Sequence, residues 1–157
     1  LDSVGDLDGD GHDDVLIGIS GTLAQPFVGG EAHVRSGRTG ALLREHLGPG
    51  DQHHFLGRAV RGLGDFTGDG VPDYALGAPY RRHLLGQLWL VSGASGDVIR
   101  KMDGKRRKRK AEPKFSYVIA AAGDVDRDGV PDLLVASPGQ NAFRGAVRIY
   151  SGLSLRD

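Results

Sequence analysis

Short stretches of alternating or continuous apolar residues recur along this chain, and each is closed by glycine or proline. FLGRAVRGL (55–63) and FSYVIAAAG (115–123) run into acidic segments, and DVLIGIS (14–20), DYALGAP (73–79) and DLLVASP (132–138) follow such segments. EAHVRSG (31–37), QLWLVSG (87–93) and AVRIYSG (146–152) come next, alternating with the period of a half-buried strand. ALLREH (41–46) and DVIRKM (97–102) supply a fourth stretch. The pattern predicts many short strands joined by turns.

These stretches belong to a repeat. GDLDGDGHDDVLIG, GDFTGDGVPDYALG and GDVDRDGVPDLLVA place Asp6, Asp65 and Asp124 at a constant spacing of 59 residues. A glycine-opened strand ending in Ser-Gly follows each of them, at Ser36, Ser92 and Ser151. Four short strands per repeat of this length is the pattern of a β-propeller blade. The expected fold is therefore all-β, made of β-propeller blades of four antiparallel strands, about three in number. Blade 1 spans 1–47 with its first strand truncated, blade 2 spans 55–102, and blade 3 spans 115–157 with its last strand truncated. Residues 103–114 form a basic loop between blades. Propellers close with about four to eight blades, so a fragment of a larger ring is expected, with a dimer closing six blades as the alternative.

Within each acidic loop, side-chain oxygens fall at positions 1, 3, 5 and 9. They belong to Asp6, Asp8, Asp10 and Asp14, to Asp65, Thr67, Asp69 and Asp73, and to Asp124, Asp126, Asp128 and Asp132. Like charges this close repel, so the crowding is sensible only around a cation. Glycine at position 6 (Gly11, Gly70, Gly129) permits the sharp turn, and the carbonyl of position 7 (His12, Val71, Val130) can join the ligands. Hard oxygen donors select Ca²⁺ at about three sites, with Mg²⁺ fitting less well. An EF-hand needs a bidentate Glu at position 12, where Ile17, Leu76 and Val135 stand instead. The second loop, with a hydroxyl in place of one carboxylate, is expected to be the weakest site. Asp13 has no equivalent, because Pro72 and Pro131 occupy its place, and it is expected to face solvent.

Composition adds less. Twenty-six glycines and seven prolines favour turns over long helices, and the absence of cysteine removes disulfides and thiolate metal sites. No apolar run reaches the ~20 residues of a membrane-spanning helix. The opening LDSVGD lacks the pattern of a secretory leader, and the start reads as a cut. The formal charge of zero hides a segregation. Lys105, Arg106, Arg107, Lys108, Arg109 and Lys110 hold six of the 20 basic residues, leaving 14 against 20 acidic ones elsewhere. That run is a candidate for weak polyanion binding through charge, or a solvated loop; without interleaved aromatics, specific nucleic-acid recognition is not expected. The six histidines show no zinc-ligand spacing, and most of them are expected at surface or turn positions. No nucleophile elbow is present, and Trp89, Phe55, Phe66, Phe115 and Phe143 are expected to pack in the core or between blades.

The loops, together with Gly77-Ala78-Pro79, the looser Ala136-Ser137-Pro138, and the Phe-Gly-like FLG at Phe55 and FSY at Phe115, resemble the FG-GAP repeat of integrin α-subunit propellers and of bacterial extracellular proteins. The resemblance implies an extracellular or cell-surface, non-catalytic scaffold. Its calcium would be structural, and a protein or glycan ligand would bind on a propeller face. The remaining blades of the same chain, or a second copy, would be further partners. The alternative is an accessory propeller domain of a secreted hydrolase or lyase. A fold does not dictate function, so adhesion does not follow from the blades alone.

Overall fold

The computed structural model describes residues 1–21, 29–49, 54–105, 112–140 and 144–156, with Arg82 and His83 described by their backbone only. The described residues form three antiparallel sheets and two short helices. The first sheet is β1 (Asp2–Gly5), β2 (Asp14–Ile19), β3 (Glu31–Arg35) and β4 (Leu42–Leu47), in chain order. The second is β5 (Ala59–Gly64), β6 (Asp73–Ala78), β7 (Gln87–Val91) and β8 (Val98–Asp103), with helix α1 (Arg81–Leu84) between β6 and β7. The third is β9 (Val118–Gly123), β10 (Asp132–Ala136) and β11 (Val147–Tyr150), and its chain then winds into helix α2 (Gly152–Arg156) where the other two sheets turn into a fourth strand. The up-and-down meander is that of propeller blades; the first sheet has all four strands, its first being a short one of four residues, and only the third has three.

The sheets stack face to face, and the apolar core lies between them. Val4, Leu16, Ala32 and Val34 of the first sheet meet Tyr74, Leu76, Ala78, Trp89 and Val91 of the second. Leu63, Ala75, Leu88 and Leu90, on the opposite face of the second sheet, meet Ile119, Leu133, Val135 and Leu155. Alternate residues of one strand point to opposite faces. That is why β6 and β7 are buried at every position although each face carries only half of their side chains. Burial also holds His46 below its usual pKa range, with Arg44 adding to the effect; its Nε2 lies 2.7 Å from the hydroxyl of Tyr74 on the next sheet.

Phe66, Phe115 and Trp89 are buried between blades as expected. Phe55 is only half-buried, its ring tilted at 51° against that of Tyr80, and Phe143 lies outside the described residues. The 59-residue spacing of the repeats, with backbone conformation and burial, moves the Phe-Gly element by one residue in blade 2. Leu56-Gly57 and Phe115-Ser116 are the equivalent pairs: Leu56 and Phe115 are both buried, and Gly57 and Ser116 have φ of 80° and 64°. A Cβ at Gly57 would sit 2.2 Å from the carbonyl of Glu31, so only glycine fits there. Ser116 tolerates the left-handed conformation with its Oγ donating to the carbonyl of Gln87 at 2.6 Å.

Candidate metal centre

Each acidic loop sits at the mouth of a blade, between the first two strands, and a register shift marks the place in all three sheets: between Ser3 and Gly5, between Gly62 and Gly64, and between Asp132 and Leu133. The loop is organised around its first aspartate. In the first loop Asp6 accepts the amides of Gly9 (2.7 Å), Asp10 (3.1 Å) and Gly11 (2.8 Å). Asp65 accepts those of Gly68, Asp69 and Gly70 at 2.6, 3.0 and 3.0 Å, and Asp124 those of Asp128 and Gly129 at 3.0 Å each. These amides, that of Gly11 foremost, hold the Asp6 carboxyl below its ordinary value against the opposing effect of desolvation. A carboxylate has about four lone-pair positions, so these bonds leave capacity for a cation.

The aspartate at position 9 does something different. Asp14, Asp73 and Asp132 are buried. One oxygen of each accepts an amide at the start of its own loop, from Leu7 (2.8 Å), Thr67 (2.6 Å) or Val125 (2.8 Å). The other accepts the amide of the Ser-Gly glycine, from Gly37 (3.1 Å), Gly93 (2.9 Å) or Gly152 (2.9 Å). Loop, second strand and the end of the third strand are thus tied at one carboxylate. Burial raises the Asp73 carboxyl above its ordinary value, opposed by the amides of Gly93 and Thr67.

The recurring Ser-Gly pair, which the sequence identified as a turn, therefore has a second role that a single repeat could not disclose. A Cβ at Gly37, Gly93 or Gly152 would meet the carbonyl of Asp13, Pro72 or Pro131 at 1.9, 1.8 or 2.2 Å. Each of these carbonyls belongs to the residue just before the clamping aspartate, so glycine is required by the close approach. Gly93→Ala is expected to cost about 1–3 kcal/mol through the forced backbone shift, read as a lowered urea midpoint with an unchanged m-value.

Carboxylate oxygens of Asp6, Asp8 and Asp10 lie within 4.8 Å of one another, and so do those of Asp124, Asp126 and Asp132. The second loop, where Thr67 replaces a carboxylate, is absent from such triads. Desolvation within the loop, with the charges of Asp10, Asp14 and Asp6, raises the Asp8 carboxyl above its ordinary value. Like-charge crowding at an all-oxygen donor set is the chemistry that a hard divalent cation relieves, and the residues present fit one. Asp128 accepts the hydroxyl of Ser151 at 3.2 Å and the amide of Val130 at 2.9 Å. The side chain of Val130 belongs to the core, and His12 and Val71 donate their amides to Asp10 and Asp69. Asp13 is exposed as expected and accepts the hydroxyl of Ser3 at 3.1 Å.

Elsewhere, Lys105 is exposed, and Arg106 to Lys110 lie outside the described residues. Of the histidines expected at the surface, His54 is buried and His33 is largely covered, its ring lying between Glu31 and Glu45. Sequence spacing missed that cluster because Glu45 comes from the neighbouring strand. Among the described residues, no helix is long and apolar enough to cross a membrane.

Comparison with known proteins agrees with this architecture. The FG-GAP repeat family model matches residues 115–150, the third blade with its acidic loop. Human integrin alpha-6 is 33% identical over 139 residues, 86% of this chain and 12% of the relative. Mouse integrin alpha-3 is 29% identical over 143 residues, and mouse integrin alpha-X 34% identical over 146, each again across 86% of this chain. The chain spans about an eighth of the length of these relatives. With repeating blades, a loop and a clamping aspartate in every one of them, and relatives that align across most of its length, the chain belongs to the FG-GAP repeat family of the integrin alpha type.

Proposed function

We propose that this chain is a calcium-braced propeller segment that acts as a non-catalytic extracellular scaffold, presenting a propeller face to a protein or glycan ligand. The observation that carries this reading is the threefold recurrence of one hydrogen-bonding scheme. Each acidic loop is folded around its first aspartate and tied by its ninth to the strand that leads to the blade's outer edge. Asp6, Asp8, Asp10 and Asp14, with their counterparts in the other loops, would hold the ion. Bound there, it supplies positive charge and no chemistry of its own. The chain's own residues do the rest: the amides of Gly11, Gly70 and Gly129 fix the first carboxylate, and the buried aspartate transmits the position of the loop to the sheet. The match to integrin alpha chains supports a role in adhesion.

Calcium titration followed by calorimetry tests the reading. Two equivalents are expected to bind before a third, weaker one that belongs to the loop of Thr67. Thr67→Asp should bring the third into line with the others. A chain that takes up no calcium, or one whose weak site is unmoved by Thr67→Asp, would overturn the assignment.

A further inference from the structure

Glu31 and His33 are two residues apart on β3 and so project from the same face, and the register of the sheet sets Glu45 on β4 directly opposite His33. His33 Nε2 lies 3.0 Å from Glu31 Oε2 and 3.4 Å from Glu45 Oε1. The three ligand atoms fall within 4.8 Å of one another. The face that carries them is the one turned away from the core shared with the second sheet, and Glu45 is half exposed on it.

The repeat does not ask for this cluster. The equivalent pair in blade 2 is Trp89 and Lys101, with the ammonium 4.2 Å over the indole ring and Gln87 in the place of Glu31. In blade 3, Arg148 stands where His33 does. Among the described blades, one imidazole facing two carboxylates is thus particular to blade 1; the equivalent Trp89 of blade 2 packs in the core.

We propose that Glu31, His33 and Glu45 form a binding site for a divalent transition-metal ion of the zinc class, separate from the acidic loops. Two ligands at zinc bond lengths of about 2.0–2.1 Å and the tetrahedral angle lie about 3.3 Å from each other, close to the separations found here. An imidazole in the donor set selects zinc, copper, nickel or iron over calcium, which takes oxygen alone. Placement on adjacent paired strands presets the ligands, so little ordering is needed to bind. The exposed side of Glu45 leaves the remaining coordination position to water. The competing account is that the contacts of His33 Nε2 with the two carboxylates are all that the cluster makes.

The test is a titration of the whole chain with Zn²⁺ in saturating Ca²⁺, which keeps the acidic loops filled. One equivalent of Zn²⁺ is expected to bind and raise the melting temperature. It should be lost in His33→Gln, weakened in Glu45→Gln and retained in Asp126→Asn. Absence of a zinc equivalent, or one that survives His33→Gln, would overturn the proposal. Co²⁺ provides a readout on the unaltered chain: visible ligand-field bands displaced by Zn²⁺ but not by Ca²⁺ support the site, and their absence, or displacement by Ca²⁺, counts against it.

Discussion

Removing calcium with a chelator is expected to lower the stability of this chain by about 4–8 kcal/mol relative to the protein in roughly 10 mM Ca²⁺. The figure follows from linkage. A ligand that binds only the folded state adds RT ln(1 + [L]/Kd) per site. With extracellular-type dissociation constants of about 10⁻⁴–10⁻³ M, each of three loops contributes about 1.4–2.7 kcal/mol. Domains of this size are stable by only about 5–15 kcal/mol in total, so the chelated chain should be close to unfolding at room temperature. Thermal melts with calcium and with chelator decide the matter, and coincident curves would remove calcium from the account. The cause is visible in the crowding at Asp8, where desolvation and the charges of Asp10, Asp14 and Asp6 disfavour the ionised carboxyl when no cation is present.

Asp73→Ala carries the second large effect. The substitution strips both acceptors from the amides of Thr67 and Gly93, and the bond to Gly93 is buried. The orphaned buried donor of Gly93 costs about 1–3 kcal/mol and the part-buried one of Thr67 less, which gives about 2–4 kcal/mol for the pair. Asp73→Asn keeps one acceptor oxygen and should lose about half as much. Urea denaturation of the two variants in chelator separates this structural role from any in cation binding. If both variants match the parent there, the clamp contributes nothing of its own.

Much of this was legible in the sequence because the chain states its pattern three times. The alternation in EAHVRSG matches the half-buried β3, and the 59-residue spacing of Asp6, Asp65 and Asp124 sets the acidic loops in register; QLWLVSG, expected to be half-buried, is instead covered on both faces in β7. What the sequence concealed is what depends on pairing across strands. The clamp between Asp73 and Gly93 joins residues 20 apart, and Glu45 reaches His33 only through the register of β3 and β4. The shift of the Phe-Gly element was hidden for another reason. Phe55 and Phe115 invited a chemical alignment, whereas backbone conformation pairs Leu56 with Phe115 and Gly57 with Ser116. Helix α2 was unforeseen because its residues continue a motif that elsewhere leads into a strand.

The double burial of β6 and β7 means that the unit of duplication and the unit of cooperativity are offset by half a step. Neither apolar cluster is the property of one blade; each is shared by a neighbouring pair. Excising the second repeat at its sequence boundaries would halve both clusters instead of isolating one, so a blade cut out in this way leaves behind half of the apolar surface that covers it.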